Sequence, residues 1–286
     1  MPEIGRLNNI IRAWEDGRPA FASFAHADPQ TATEFSTAPY DGVVFEMEHH
    51  PWDAAALQDA LQYLLNRKQI ATSSSLAPAV TPIVRIPSNG VEKTQSFAKQ
   101  ALDRGVYGVV WPHVGDAEQA YNAVASCRYA RKKTAEFYQP VGVRGDGPAA
   151  ASRYWGLTQE EYYARADVWP LNPQGEILVF LMIESVRGVG NLDDILKNVP
   201  GVGCVLIGEG DLSQELGHPR QYSHPEVKDA MGHVVATCKK HGVPVGHPHV
   251  TSSNVEQVLA DGYRFIMSAP VRTYDAIKKA REIIGK

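Results

Sequence analysis

The sequence has little cysteine, and this excludes two large groups of proteins. Only three cysteines occur among 286 residues, and no two of them form a Cys-x-x-Cys pair. Small disulfide-stabilised folds and cysteine-based zinc sites need several cysteines at short spacing, so neither is expected. Few, widely separated cysteines fit a reducing compartment, and we therefore expect a cytoplasmic protein whose thiols are buried and inert.

Long hydrophobic runs and an excess of positive charge are missing too. No run of about 18 apolar residues occurs, so the sequence predicts no membrane span. The first residues contain acids and no long apolar stretch, so no secretory signal is predicted. The chain carries 28 basic and 32 acidic residues, a formal net charge of −4. A chain without basic excess is not expected to bind the phosphates of a nucleic acid.

Short apolar runs alternate with amphipathic stretches along the whole chain. Apolar residues at helical spacing between positions 4 and 14 predict an N-terminal helix. Strands are predicted at 19–25, 42–48, 81–87, 108–114, 177–185, 204–212, 244–249 and 264–270. Helices are predicted at 54–64, 91–102, 117–126, 192–198, 225–240, 254–260 and 274–284.

This alternation predicts an α/β fold, a (β/α)8 TIM barrel formed by residues 1–286 as a single domain. An open doubly wound sheet is the alternative, but the turn after its first strand would usually be rich in glycine, and residues 24–30 are not. Residues 129–176 are too long for a plain connection after the fourth strand. They are rich in Tyr, Trp, Arg and Pro, so we expect an ordered insertion over the barrel mouth or at a subunit contact.

Charged side chains end several predicted strands, where TIM barrels carry their reactive groups. Glu184 and Asp211 end consecutive strands, and two carboxylates without a nearby cysteine favour a hard cation such as Mg²⁺ or Mn²⁺. Alternatively, each acid caps the helix that follows it. Arg85 lies inside an apolar strand and needs an anion there, either a neighbouring carboxylate or a substrate oxyanion. His49 is flanked by acids and is a candidate general base.

Other motifs are weaker or absent. His247 and His249 have the spacing of a two-histidine metal clip and would suit a metal hydrolase, with solvated loop histidines as the alternative. The chain contains no Gly-x-Ser-x-Gly elbow, no phosphate-binding P-loop, no His-Glu-x-x-His motif and no complete Gly-x-Gly-x-x-Gly. Esterase-type hydrolases, P-loop enzymes and zinc peptidases of that type therefore lose support.

Several segments occur in the order found in one enzyme family. They are FEMEHHPWD, PIVRIP, GVVWPHVGDAEQA, VGVRGDGPA, FLMIESVRGVGNLDDIL and VLIGEGDLSQELG followed by HPEV. Through these motifs the chain resembles the HpcH/HpaI family of class II aldolases from about residue 19 to 270. The resemblance implies a (β/α)8 barrel, homohexamers built from dimers, and a divalent cofactor, Mg²⁺ or else Mn²⁺ or Co²⁺. It also implies cleavage or formation of 4-hydroxy-2-oxo acids, with pyruvate as the nucleophile and an aldehyde as its partner.

The resemblance further implies roles for individual residues. The metal ligands of the family match Glu184 and Asp211, and its charge-stabilising arginine matches Arg85. Its catalytic histidine matches His49, and the acid that pairs with this histidine matches Asp103.

A turn that holds the pyruvate carboxylate in the family matches Gly208, Glu209, Gly210 and Asp211. Glu209 stands where many members have proline, so it would add negative charge near an anionic substrate unless its side chain points away. Met182 stands where members often have glutamine, which removes a side chain able to hydrogen-bond a water or a substrate oxygen.

His113 and Tyr154 resemble residues of macrophomate synthase, a relative that decarboxylates oxaloacetate and joins the enolate to a pyrone. Both are therefore expected to bind substrate. An oxaloacetate decarboxylase, or a synthase of this kind acting on the same metal-enolate site, is the alternative activity. A barrel that only binds ligands is the alternative outside enzymes.

Overall fold

A computed structural model of the protein describes residues 4–270 and 273–285, and it shows a closed barrel of parallel strands. The strands are β1 (Ala20–Ala25), β2 (Gly42–Glu46), β3 (Thr81–Arg85), β4 (Gly108–Trp111), β5 (Val168–Trp169), β6 (Ile177–Ile183), β7 (Cys204–Ile207), β8 (Val245–Val250) and β9 (Phe265–Ser268). The ring closes because β4 pairs with β6 and β9 pairs with β1, while the short β5 lies outside the ring beside β6. The predicted (β/α)8 barrel is confirmed.

The helices lie between the strands, as the alternation predicted. They are α1 (Asn9–Glu15), α2 (Pro29–Phe35), α3 (Ala54–Leu64), α4 (Arg67–Thr72), α5 (Gln95–Arg104), α6 (Ala117–Ser126), α7 (Ala149–Trp155), α8 (Gln159–Arg165), α9 (Val186–Asn198), α10 (Glu209–Glu215), α11 (Pro225–His241), α12 (Val255–Asp261) and α13 (Asp275–Ile283). In the described part of the chain, no helix combines the length and the apolar character needed to cross a membrane.

Strand burial explains why the strands read as continuous apolar runs. Every residue of β6 is buried, because one side of the strand faces the barrel interior and the other faces the surrounding helices. Gly42, at the start of β2, packs so closely on Ile10 that a Cβ there would lie 3.2 Å from the carbonyl oxygen of Thr81 and closer still to the Ile10 side chain. The N-terminal helix α1 therefore packs directly on the end of the barrel where the strands begin.

The long insertion also lies at that end. β5 pairs with the first residues of β6, and the indole N–H of Trp155 in α7 donates to the carbonyl of Gly105, just after α5, at 2.8 Å. Both contacts are far from the carboxyl ends of the strands. Residues 129–176 therefore do not cover the barrel mouth, because the segment is held by the starts of strands and the end of a crossover helix. The alternative position, at a subunit contact, stays a prediction.

The predicted strand at 204–212 is shorter than expected. β7 ends at Ile207, and α10 begins at Glu209, so Asp211 lies in the first turn of a helix. Asp211 therefore reaches the mouth of the barrel from a helix rather than from a strand end. The alternative that Asp211 caps this helix is wrong, because Gly208 is the N-cap of α10 and no side chain caps the helix by a hydrogen bond.

Candidate active site

The carboxyl ends of β2, β3, β4 and β6 bring charged residues to one end of the barrel. Glu46 and Arg85 are the last residues of β2 and β3 and are direct neighbours in the register of the two strands. The other charged residues at this edge are Glu48, His49, His113 and Glu184, with Asp211 from α10.

The centre of this group is a buried acid. Glu184 directly follows β6 and is only 2% exposed. One ligand atom each of Glu184, Asp211 and His113 lies within 4.8 Å of the others. Burial raises the pKa of Glu184 to about 7 despite the opposing effect of His113, and the charges of Glu48 and Asp211 add to the rise. Gly208 leaves room for the carboxylate, since a Cβ at that position would clash with it.

This donor set fits a divalent cation. The buried carboxylate of Glu184 and the exposed one of Asp211 repel one another, and a bound cation would remove that repulsion and favour the ionised form of Glu184. Carboxylate oxygens are the ligands that Mg²⁺ and Mn²⁺ prefer, and the imidazole of His113 is a ligand that Mn²⁺ or Co²⁺ would also accept. The residues that would hold the ion are therefore Glu184 and Asp211, with His113 beside them.

Arg85 is held between two acids. Its Nε donates to Oε2 of Glu46 at 2.5 Å, and its Nη1 lies 2.9 Å from Oε2 of Glu48. Its guanidinium carbon lies 4.6 Å from the centre of the Phe24 ring, and Nη1 also contacts the sulfur of Met182 at 3.5 Å. The neighbouring carboxylates thus fix the direction of the guanidinium. A neighbouring carboxylate was one of the two anions that the sequence offered as a partner for Arg85. Burial raises the pKa of Glu48, although Arg85 opposes this.

His49 lies at the open edge of this group. Its side chain is 66% exposed, with Nε2 3.7 Å from Oε2 of Glu48, and its backbone N–H donates to Oε1 of Glu46 at 3.1 Å. Its imidazole is therefore accessible to a ligand entering the mouth. Glu48 contacts Arg85, His49 and His113 together. The sequence offered Glu46 or Glu48 as the acid beside His49, and it did not predict the contacts of Glu48 with Arg85 and His113. Two acids separated by one residue at the end of an apolar strand were the sequence signal that could have indicated these contacts.

Asp103 and Tyr154 do not join this group. A crossover helix returns from the carboxyl end of one strand to the start of the next, so Asp103, near the end of α5, lies at the opposite end of the barrel from His49. There it binds Nη2 of Arg144 at 3.0 Å. Tyr154 packs on Gly105 at the same end. Within one chain, Asp103 therefore does not pair with His49, and Tyr154 does not reach a substrate held at the mouth.

Glu209 points away from the other acids. Its Oε1 lies 2.5 Å from Nδ1 of His249, and its Oε2 lies 3.9 Å from Nε2 of His247. The side chain is thus directed at β8, while the backbone of residues 208–211 stays beside Glu184. His247 and His249 of β8 thus face the carboxylate of Glu209. Neither histidine belongs to a group of described residues that could hold a metal ion. The metal hydrolase suggested by their spacing gains no support.

Comparisons with known proteins agree with this geometry. The family model described as HpcH/HpaI aldolase/citrate lyase matches residues 23–270. A curated relative from Klebsiella pneumoniae subsp. pneumoniae, 5-keto-4-deoxy-D-glucarate aldolase, is 32% identical over 264 residues, which cover 89% of this chain and 90% of the relative.

Solved structures share the fold. An HpcH/HpaI aldolase/citrate lyase family protein from Burkholderia cenocepacia superposes with a TM-score of 0.74 at 26% identity, covering 98% of this chain and all of that one. Macrophomate synthase superposes with a TM-score of 0.66 at 21% identity, covering 99% of this chain and 88% of that one. At 21% identity the second likeness concerns the fold alone.

Proposed function

The chain belongs to the HpcH/HpaI aldolase/citrate lyase family and is a carbon–carbon lyase, and on this premise we propose that it is a divalent-metal-dependent class II aldolase. In this proposal it cleaves or forms 4-hydroxy-2-oxo acids, with pyruvate as the nucleophilic half. The observation that carries the proposal is the meeting of Glu184 and Asp211 beside Arg85 and His49 at the barrel mouth.

The positive charge of Arg85 has a defined task in this reaction. Loss of a methyl proton from pyruvate creates an enolate oxygen whose charge must be stabilised. A guanidinium already fixed by Glu46 and Glu48 needs little reorganisation to face that oxygen, which is how preorganised groups lower a barrier. When bound by Glu184 and Asp211, a divalent ion would supply Lewis acidity toward the oxygens of the 2-oxo acid.

Two other elements complete the proposed site. Backbone N–H groups of residues 209–211 lie in the first turn of α10 and are the proposed holder of the substrate carboxylate, while the N–H of Gly208 already donates to the carbonyl of Ile183. Because the side chain of Glu209 faces β8, its charge does not oppose an anion there. His49, exposed beside Glu48, is the proposed group that accepts the proton of the C4 hydroxyl during cleavage.

The name of the Klebsiella relative suggests the first substrate to test. Purified protein with Mg²⁺ should release pyruvate from 5-keto-4-deoxy-D-glucarate, and a crystal soaked with Mg²⁺ and pyruvate should show the ion on Glu184 and Asp211. Absence of pyruvate release from this and from simpler 4-hydroxy-2-oxo acids would refute the aldolase proposal. An ion bound elsewhere would refute the assignment of its ligands.

Decarboxylation of oxaloacetate is the second candidate. It is favoured by His113, whose imidazole is 39% exposed at the mouth between Glu48 and Glu184. The synthase-like acceptor chemistry is less favoured, because Tyr154 lies at the other end of the barrel. Release of CO₂ from oxaloacetate much faster than aldol cleavage would select this candidate. Assembly of the chain into hexamers remains a prediction.

A further inference from the structure

A second group of metal-binding side chains lies outside the active site, where α10 leads into α11. One ligand atom each of His218, His224 and Glu226 lies within 4.8 Å of the others. His218 comes three residues after the end of α10, His224 is the N-cap of α11, and Glu226 lies in the first turn of that helix. The three residues therefore join two helices across a short loop.

The side chains of this group are already close enough to share a ligand. The rings of His218 and His224 stack with their centroids 3.4 Å apart and their planes at 22°. Nε2 of His218 lies 2.9 Å from Oε2 of Glu226. The ring nitrogens and the carboxylate oxygen are therefore near enough to one another for a single metal ion to contact all three residues.

Hydrogen bonds of the backbone hold the loop between the two histidines. The N–H of His218 donates to the carbonyl of Ser213 at 2.8 Å, and the N–H of Arg220 donates to the Ser213 hydroxyl at 3.0 Å. The N–H of Gln221 donates to the carbonyl of His218, and the N–H of His224 to the carbonyl of Gln221, both at 2.9 Å. None of these bonds uses a ring nitrogen of His218 or His224, so the loop shape does not depend on the imidazoles.

Besides the contact of His218 with Glu226, which joins two of the proposed ligands, one contact competes for a ring nitrogen. The N–H of Glu226 donates to Nδ1 of His224 at 3.3 Å, which is long for a hydrogen bond. A bond of this length is a weak competitor for a metal ion. The side chain of Glu226 is 57% exposed, and the side chain of His218 is 25% exposed. Water can therefore reach both groups and complete the coordination of a bound ion.

We propose that His218, His224 and Glu226 form a second metal site, selective for a borderline transition ion, with Zn²⁺ as the expected occupant. Two imidazole nitrogens and one carboxylate oxygen are a frequent donor set for Zn²⁺, with water in the remaining position. Hard ions such as Mg²⁺ prefer oxygen alone, so this site and the pair Glu184 and Asp211 differ in the ions they select.

A bound zinc ion would hold together the loop between α10 and α11, and α10 is the helix that carries Asp211. A ligand that binds only the folded protein raises its melting temperature by mass action. Zinc is therefore expected to stabilise the protein through these three residues without entering the reaction at the mouth.

The test separates the two sites by removing the first one. The double variant Glu184→Gln, Asp211→Asn is titrated with Zn²⁺ by calorimetry, and its melting temperature is measured with and without the ion. His218→Gln and His224→Asn are then added singly to this background, the second because asparagine preserves a helix N-cap. The matched control is His233→Gln, which removes an exposed histidine from α11 outside the group.

The background and the control should each bind one Zn²⁺ per chain at this site and melt at a higher temperature when zinc is present. His218→Gln and His224→Asn should bind Zn²⁺ at least about tenfold more weakly, because loss of a direct ligand costs no less than loss of a supporting residue. Both should melt like the background in the absence of zinc. Zinc affinity equal to that of His233→Gln in both variants, or no saturable zinc binding in the background, would overturn the proposal.

Discussion

The backbone N–H of His113 donates to Oε1 of Glu184 at 2.6 Å, which ties the loop after β4 to the acid that follows β6. His113 adopts a left-handed backbone conformation with φ of 50°, unusual for a residue other than glycine. That conformation costs about 1 kcal/mol and directs the N–H at the carboxylate. The direction of Glu184 is therefore set by a strained loop on the neighbouring strand.

Removal of divalent metal should abolish aldol activity. Treatment with EDTA and desalting should stop pyruvate release, and Mg²⁺, Mn²⁺ or Co²⁺ should restore it. In Glu184→Gln, activity should stay at least about a hundredfold lower at restoring concentrations, because Lewis-acid stabilisation is worth several kcal/mol. Glu34→Gln, an exposed change on α2, is the control and should respond like the wild type. Full activity in chelator would end the metal hypothesis.

Arg85→Ala should lose the exchange of pyruvate methyl protons with solvent. Removing one preorganised donor to a developing oxyanion costs about 10²–10³ in rate. Arg85→Lys keeps the charge but lacks the planar fork whose Nε binds Glu46 and whose Nη1 faces Glu48, so exchange should be only partly restored. The measurement is the loss of the methyl proton signal of pyruvate in D₂O. Normal exchange in Arg85→Ala would remove this residue from the mechanism.

His49→Ala should slow aldol cleavage more than it slows methyl proton exchange. Cleavage needs a base for the C4 hydroxyl, and general-base catalysis contributes about 10²–10⁴ in rate. His50→Ala changes the adjacent exposed histidine and serves as the matched control. Comparing pyruvate release with proton exchange in each variant separates the two steps. Unimpaired cleavage in His49→Ala contradicts the assignment.

The pH dependence of stability should contain a contribution from His247. Burial lowers the pKa of His247 below 6.5, and His249 lowers it further, while Glu209 and Asp261 oppose the shift. The ring of Tyr263 packs against the His247 ring in an edge-to-face arrangement. Because the unfolded chain then binds the proton more tightly, the stability that this group contributes is present above about pH 6.5 and is lost as the pH falls toward the lowered pKa.

The check is the melting temperature at pH 7.5 and pH 5.5. The decrease should be smaller in His247→Gln than in the wild type, because the variant has no proton to take up at this position. His233→Gln, the same chemical change at an exposed position, should show the wild-type decrease. Equal decreases in all three proteins would show that His247 does not contribute to the pH dependence.

Arg128 should be a strong contributor to the stability of the insertion. It is fully buried, donates to both carboxylate oxygens of Asp167 at 2.6 and 3.1 Å, and also donates to the carbonyls of Phe137 and Pro140. Arg128→Met should lower the free energy of unfolding by about 3–5 kcal/mol, since it leaves a buried carboxylate short of its partner.

The control for this prediction is Arg131→Met. Arg131 also binds Asp167, but its side chain is 30% exposed, so the expected loss is at most about 1 kcal/mol. Urea unfolding of both variants measures the difference. A loss below 1 kcal/mol in Arg128→Met would contradict the prediction.

Local pattern was sufficient for the barrel itself. The helices α3 and α6 have the bounds that periodicity predicts, and each strand of the ring overlaps one of the predicted apolar runs. A barrel strand is covered on both sides, so almost all of its residues must be apolar, and this pattern can be recognised within the strand itself. The motifs around Glu184 and Asp211 could also be recognised from the sequence, since each is a short continuous segment that follows an apolar run.

Which side chains meet was decided by the tertiary structure. Asp103 and Tyr154 lie in segments that match the family, but the end of α5 carries Asp103, and α7 of the insertion carries Tyr154, to the end of the barrel opposite His49. Glu209 lies within the proposed carboxylate-binding turn, yet its side chain faces His249 on another strand. Such contacts depend on register between strands and on the end to which each helix returns. Neither quantity is encoded in the spacing of residues along one element, so only the closed barrel determines them.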